Sequence, residues 1–600
     1  MKKERESVDE KRTNMKELMS GNEAIARGIW EAGVQFASGY PGTPSTEILE
    51  NVSGKYPEVT SEWAPNEKTA VEAAIGASVG GARSIATMKH VGVNVAADPI
   101  FTVAYTGVTG GLAIVSADDP SCHSSQNEQD NRYYATAANL AMLEPSNSQE
   151  AKDFVRQAME ISETYNVPVM IRMTTRVCHS KSLVETDERK EVPYVPYVKQ
   201  RRYNPVPAVS YGLHADVMER FKKLEELSND CPLNTVEWNT GDVGIVTSGV
   251  SYQYAKEVFG DAASYLKIGL TNPLPMAKIK DFSSKVKTLY VIEELEPYME
   301  NQMKAAGLSC IGKEKVPRLY ELNPDILRSA LLGVEPKPIS HEDFGTVERP
   351  PVLCAGCPHR GIYVEMLKLK NIVFSSDIGC YALGRAKDFA FCMGSGFSAA
   401  HGMAKMFKKS GSDKRVVGIM GDSTFFHSGM TSMLECVYNN SNVLLVVMDN
   451  RITAMTGHQE NPGTGYNIMG EEAPLTDIAK VAEALGVKHI KTINPLHLGD
   501  CRKALQWGLG FDEPALIITK YPCALKKFSE IDKQEFGSSV KKNYVDTETC
   551  IGCRTCVRTG CPALVYDKAT KKVSIDLSQC TGCDICMQVC PTHAIRKVEG

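Results

Sequence analysis

R-V-V-G-I-M-G-D-S (415–423) and V-L-L-V-V-M-D-N (443–450) decide how this chain is built. Residues 415–420 and 443–448 each read as a strand that runs directly into a polar turn. A Gly- and Ala-rich helical pattern, 394–407, precedes the first. Strands that alternate with helices form a parallel sheet covered on both faces. Ligands of such sheets sit beyond the carboxyl ends of the strands, so the Asp422 and Asn450 side chains reach one crevice. A carboxylate, an amide oxygen and a backbone carbonyl are hard ligands that suit Mg²⁺ already bound to a diphosphate. Gly421 lets the backbone approach the phosphates. Gly-Asp by itself also serves as a plain turn; the spacing to Asn450 after a second strand is what strengthens the signal.

The same alternation extends on both sides, which predicts an α/β, multidomain chain. After a charged leader, 1–18, a first α/β unit covers 19–185. It has helical patterns at 22–32 and 67–78 and strands at 34–38, 84–88, 112–116 and 167–173. Loops 40–45, 89–94 and 118–132 fall at its strand ends. A connector with one helix at 215–226 covers 186–240. A second α/β unit covers 241–334 and a Pro-rich link 335–351. The unit holding Asp422 covers 352–530, and a cysteine-rich tail covers 540–600.

That tail reads C-I-G-C-R-T-C-V-R-T-G-C-P (550–562) and C-T-G-C-D-I-C-M-Q-V-C-P (580–591). Tight C-x-x-C-x-x-C turns let three thiolates reach one iron–sulfur cube, and the fourth cysteine of each run ligates the other. Cys550, Cys553, Cys556 and Cys590 are expected to hold one [4Fe–4S] cluster. Cys580, Cys583, Cys586 and Cys561 are expected to hold a second. Zinc also takes thiolate quartets, but its sites pair cysteines two and two.

With 600 residues the chain is too long for one core. A hydrophobic fraction of 43% and a charged fraction of 23% are those of an ordinary globular protein. The net charge of −5 argues against nucleic acid or an anionic membrane as the main partner. No apolar run reaches membrane-spanning length, and the polar first residues are not those of a signal peptide. Nineteen cysteines, eight of them at cluster spacing, point to a reducing, cytoplasmic setting.

The tail resembles a two-cluster ferredoxin domain. G-D-S followed by Asn450 resembles the thiamine-diphosphate (TPP) motif. With Y-P-G-T-P-S-T-E (40–47), N-E-K-T-A-V-E (66–72), M-K-H-V-G-V-N (88–94), H-S-S-Q-N-E-Q-D-N-R (123–132), C-A-G-C-P-H-R (354–360) and D-N-R-I-T-A-M-T-G-H-Q (449–459), the chain resembles the 2-oxoacid:ferredoxin oxidoreductases, in their indolepyruvate (arylpyruvate) branch. That resemblance implies a pyrimidine-type TPP domain at 19–185, a transketolase C-terminal-like domain at 241–334 and a diphosphate-type domain at 352–530.

It further implies that Asp422, Asn450 and the Ile452 carbonyl hold Mg²⁺, with Gly421 and Ser423 at the cofactor. Glu67 would hydrogen-bond the TPP aminopyrimidine and act as acid–base. Thr43 would sit near the substrate oxo group, although turn chemistry between two prolines explains it equally. Arg132 could clamp the substrate carboxylate, or be a surface arginine. His90, His123, His427 and His458 lie in candidate loops, and His90 is carried as catalytic. Cys354, Cys357, Cys380 and Cys523 match the ligands of a third [4Fe–4S] cluster; zinc or unligated burial would also account for them.

The implied reaction is oxidative decarboxylation of an arylpyruvate to its coenzyme A thioester, with electrons passed to external ferredoxin. A smaller beta subunit and a heterotetramer are implied as well. Pyruvate or a branched-chain 2-oxoacid as substrate, or a non-catalytic electron-transfer role, are the alternatives.

Overall fold

The computed structural model describes residues 16–336, 350–537 and 541–598. These fall into two compact units, 16–336 and 350–598. Residues 1–15 of the expected leader and most of the 335–351 link lie outside the described residues.

In the first unit the leader ends earlier than expected. Lys16–Ser20 (β1) is a strand, paired antiparallel with Lys181–Glu185 (β8). The main sheet has seven strands. Phe36–Gly39 (β2), Thr60–Trp63 (β3), Ser84–Lys89 (β4), Leu112–Asp118 (β5), Ala141–Leu143 (β6), Val169–Thr174 (β7) and Leu270–Asn272 (β12) lie in the order β12-β6-β7-β5-β4-β2-β3. All neighbours are parallel except β12 and β6. Every residue of β4, β5 and β7 is buried, as expected of strands with helices on both faces.

Local signals set the flanking helices. Ser20 accepts from Glu23 N and Glu23 bonds back to Ser20 N, a capping box that starts Gly21–Glu31. Asn66 accepts from Thr69 N and starts Glu67–Val79. The helix expected at 215–226 is longer, Pro207–Asp230. A four-stranded sheet carries Thr235–Glu237 (β9), Val243–Ser248 (β10), Ser264–Ile268 (β11) and Thr288–Ile292 (β13). Because β12 joins the large sheet, the segments 19–185 and 241–334 share a sheet inside one unit.

The chain steps from β2 outward to β3 and then returns to β4 on the other side of β2. The segments after β2 and β4 therefore diverge at the point where strand order reverses, the place where such sheets bind ligands. Loop 40–45 lies there, and the segment expected as a second loop, 89–94, is instead the end of β4 followed by the short helix His90–Val95.

The second unit has a six-stranded parallel sheet. Its strands are Ile372–Ser376 (β14), Phe389–Ala390 (β15), Arg415–Gly421 (β16), Leu444–Asp449 (β17), His489–Ile493 (β18) and Ala515–Lys520 (β19), in the order β15-β14-β16-β17-β19-β18. Gly396 lets helix Ser395–Ser410 close on the sheet, since a Cβ there would lie 2.2 Å from the Ile419 carbonyl oxygen. In the tail, Asn543–Val545 (β20) pairs with Ile595–Lys597 (β23), and Leu564–Asp567 (β21) with Lys572–Ile575 (β22). The tail is anchored to the α/β part of the same unit. Gln588 accepts from Leu498 N at 3.0 Å and donates to Leu496 O at 2.7 Å. Arg360 Nη1 donates to Thr559 O at 2.9 Å.

Candidate active site and metal centres

Strands β16 and β17 are hydrogen-bonded neighbours, so Asp422 and Asn450, just past their ends, emerge side by side. Asn450 Oδ1 lies 3.1 Å from Asp422 Oδ1 and 2.7 Å from the Ile452 carbonyl oxygen; turned over, the amide nitrogen would donate to both. Three oxygens facing one point repel unless a donor or a cation lies among them, and they are the donor set of a hard divalent ion. Arg451 between them has φ +61°, the left-handed region costly for a non-glycine residue. That reversal turns the Asn450 side chain and the Ile452 carbonyl toward the same place. Burial, with Asp449 beside it, pushes the Asp422 carboxyl above its ordinary range, and Asn461 Nδ2 donates to its Oδ2 at 3.1 Å. Asn461 was missed in the sequence because N-P-G-T (461–464) reads as a turn.

The structure gives Gly421 a reason beyond approach to a phosphate. A Cβ there would lie 2.6 Å from Tyr381 Cε1, so an aromatic ring requires the glycine. Tyr381 in turn donates to the buried Asp377, whose carboxyl burial pushes up to about 7. Ser423 is half-buried in the first helical turn after the strand.

The tail brings the first expected quartet together. Cys550, Cys553, Cys556 and Cys590 line one small cavity. The pairing of β20 with β23 returns Cys590 to the start of the domain, with Asp546 N donating to Ala594 O at 2.7 Å. Cys586 lies within electrostatic range of Cys583, Cys561 and Cys580, the rest of the second quartet, and of Cys556 of the first.

Cys380 lies within the same kind of range of Cys523, Cys354 and Asp422, and Cys357 of Cys380 and Cys523. The third group therefore gathers beside the oxygen cluster. Burial pushes the Cys357 and Cys380 thiols up to about 12, so their ionisation needs a nearby cation. Among the described residues no three His, Cys, Asp or Glu side chains close in as ligands of a single ion do. His458 Nε2 lies 3.7 Å from Cys523 Sγ, and His427 Nδ1 3.0 Å from Ser428 Oγ.

In the first unit, Glu67 opens its helix and is buried. Gly92 of the short helix His90–Val95 faces it, and a Cβ there would lie 2.6 Å from Glu67 Oε1. Thr43 is half-buried in loop 40–45. His90 is fully buried, with Nε2 3.3 Å from Asn127 O. Burial lowers its pKa and Lys89 adds to this, while Asp118 opposes, so the imidazole is neutral. His123 is exposed and lies 3.2 Å from Glu321.

Arg132 is withdrawn from carboxylate recognition. It is 1% exposed. Its Nε donates to Asp130 Oδ1 at 2.9 Å, Nη1 to Glu293 Oε2 at 2.6 Å and Nη2 to Asp130 Oδ2 at 2.6 Å. Nη2 also reaches the carbonyls of Glu294 and Glu296. All three guanidinium nitrogens are held by buried carboxylates or carbonyls, and the group is closed off from solvent. Glu293, absent from the sequence-based site, follows a strand far along the chain, and no local motif links it to Arg132.

Three family models match the chain. "Pyruvate flavodoxin/ferredoxin oxidoreductase, thiamine diP-bdg" matches residues 27–223, "Thiamine pyrophosphate enzyme, C-terminal TPP binding domain" residues 377–519, and "4Fe-4S dicluster domain" residues 542–591. Fold, site and models together define a TPP-dependent 2-oxoacid:ferredoxin oxidoreductase that carries its own iron–sulfur domain. The indolepyruvate oxidoreductase subunit IorA of Archaeoglobus fulgidus is 39% identical over 592 residues, 92% of this chain and 93% of the relative. That of Methanothermobacter thermautotrophicus is 38% identical over 99% of both chains. The chain belongs to the family of indolepyruvate ferredoxin oxidoreductase alpha subunits. A 2-oxoglutarate:ferredoxin oxidoreductase from Magnetococcus marinus aligns with TM-score 0.46 and 17% identity, over 53% of this chain and 65% of that one. Among the described residues no helix is long and apolar enough to cross a membrane.

Proposed function

We propose that this chain is the catalytic subunit for oxidative decarboxylation of an aryl 2-oxoacid such as indolepyruvate. The products are the aryl-acetyl-CoA thioester and CO₂, and two electrons leave singly for an external ferredoxin. The observation that carries the reading is the convergence of Asn450 Oδ1, Asp422 Oδ1 and the Ile452 carbonyl, with Cys380 and Cys523 in electrostatic range of Asp422. A diphosphate-bound Mg²⁺ fits the three oxygens, because it is hard and takes carboxylate and carbonyl ligands. When bound, TPP supplies the carbon nucleophile and the electron sink of the reaction.

The chain's own residues do the rest. Asp422, Asn450 and Ile452 anchor the diphosphate end. Glu67, with Gly92 leaving room for it, takes the acid–base role at the aminopyrimidine. Thr43 lies in the loop at the end of the first sheet, and the fully buried His90 follows β4 directly. Cys354, Cys357, Cys380 and Cys523 would hold a first cluster and the tail quartets two more, and such clusters would supply one-electron acceptors. The names of the relatives favour indolepyruvate over pyruvate or branched-chain acids. A smaller beta subunit, a heterotetramer and a cytoplasmic location complete the reading.

The test is anaerobic turnover, with the partner subunit, of indolepyruvate, pyruvate and a branched 2-oxoacid. Coenzyme A and a dye acceptor are supplied, with and without TPP. Fastest TPP-dependent turnover of indolepyruvate supports the reading. Preference for pyruvate would replace the substrate, and TPP-independent rates would end the proposal.

A further inference from the structure

Two lysines of the first unit are buried among the described residues. Lys152 is paired, with Nζ 2.7 Å from Glu31 Oε2 and 2.9 Å from Asp153 Oδ1. Lys89 is not. It is 9% exposed, and no described carboxylate lies within ion-pair distance of it. Its Nζ donates to the Ser124 carbonyl, which leaves two N–H donors of the ammonium without a partner in the hydrogen-bond network. Burial holds its pKa down to about 8, although Asp119, Cys122 and Glu67 lie near enough to raise it. It is therefore still largely cationic at neutral pH. A buried ammonium without a partner anion is expensive to keep.

Its place in the fold gives the cost a use. Lys89 is the last residue of β4, at the point where strand order reverses. Loop 40–45 lies against its stem, since a Cβ on Gly42 would come within 3.1 Å of Lys89 Cβ. Loop 118–132 supplies the Ser124 carbonyl. Two strand-end loops of this sheet, 40–45 and 118–132, thus meet on one side chain. It lies in electrostatic range of Glu67 and is the neighbour of His90. Arg132, the other candidate for an anionic ligand, is buried and paired with Asp130 and Glu293.

We infer that Lys89 binds the carboxylate of the 2-oxoacid substrate. This rests on the function proposed above and adds the residue that fixes the substrate's charged end. The ammonium presents donors to the carboxylate while the oxo carbon stays free to react. Because an ammonium recognises the carboxylate alone, the residue selects 2-oxoacids as a class, and the side-chain preference comes from other parts of the crevice.

The experiment compares wild type, K89M and K89R, each assembled with the partner subunit and loaded with TPP and Mg²⁺ under anaerobic conditions. Steady-state KM and kcat are measured for the best 2-oxoacid. Equilibrium binding is measured for the matching 2-hydroxy acid, indolelactate or lactate, which keeps the carboxylate but cannot react. For K89M the KM and the hydroxy-acid Kd are both expected to rise at least about tenfold, as for loss of a charge-assisted hydrogen bond, with partial recovery in K89R and the TPP Kd unchanged. Without ligands, K89M is expected to melt no lower than wild type, because an unpaired buried charge has been removed. Unchanged KM and unchanged hydroxy-acid binding in K89M would overturn the assignment. So would a K89M that melts well below wild type while binding the hydroxy acid normally, since Lys89 would then be structural. If wild type turns over no 2-oxoacid, the proposed function fails, and hydroxy-acid binding still decides the role of Lys89.

Discussion

Gly92 is a glycine because of Glu67: a Cβ at 92 would stand 2.6 Å from the Glu67 carboxylate oxygen. The two residues come from different strand-end segments, and the second has room only because the first has no side chain. Gly92→Ala is therefore expected to displace the carboxylate without unfolding the sheet. Glu67→Gln removes its proton-transfer capacity and is expected to lower kcat about 100-fold, within the usual range for a positioned acid–base. Gly92→Ala is expected to fall between it and wild type. Turnover, with circular dichroism as the folding control, checks both.

At the diphosphate end, Asn450→Ala deletes one of three convergent oxygens. The Mg²⁺-dependent Kd for TPP is expected to rise at least tenfold, on the order of 1.4 kcal/mol. The visible spectrum of the tail clusters is expected to stay the same. Calorimetric titration with TPP and Mg²⁺ reads the first, and absorbance reads the second.

Iron counting separates the cysteine groups. Three clusters correspond to about twelve irons per chain and two to about eight. Cys380→Ser is expected to cost about four irons and leave the tail signals in place. Cys583→Ser is expected to disturb the tail instead, where Cys583 lies beside Cys561. Iron and sulfide analysis with electron paramagnetic resonance on anaerobic samples distinguishes these outcomes.

Arg132 and Lys89 are expected to respond in opposite ways. Arg132→Met leaves Asp130 and Glu293 buried without their partner and is expected to destabilise the first unit by about 3–5 kcal/mol. Denaturant unfolding followed on the first unit measures this, and a stable Arg132→Met with raised KM would restore the carboxylate role to Arg132.

Glu294 gives a pH dependence. Burial raises its carboxyl from the ordinary 4.5 to about 7. The native state thus keeps a proton that the unfolded chain loses above about pH 4.5. Its contribution is full below that pH and is lost as pH rises through about 7. The loss is on the order of 3 kcal/mol. Glu294→Gln is expected to flatten this fall, as seen by comparing unfolding midpoints at about pH 5 and about pH 8.

What could be read without coordinates was whatever the chain writes locally. Two-residue gaps between cysteines place thiolates on one tight turn, so the tail's cofactor class follows from spacing alone. Apolar runs ending in Gly421-Asp422 and Asp449-Asn450 announce parallel strands and a shared crevice, because strand ends of one such sheet open on one side. Other features depended on partners far along the chain. Arg132 was matched to the substrate until Glu293, 161 residues on, closed over its guanidinium. Gly421 was read as room for phosphate, and its contact with Tyr381 could not be seen from the sequence. Nothing local marks Lys89 within segment 89–94, and only packing shows it buried with no described carboxylate at ion-pair distance. The physical reason is that backbone turns and strand periods are set by neighbouring residues. Burial and charge pairing are set by whichever distant segments the fold brings against a side chain, and tertiary structure alone decides those.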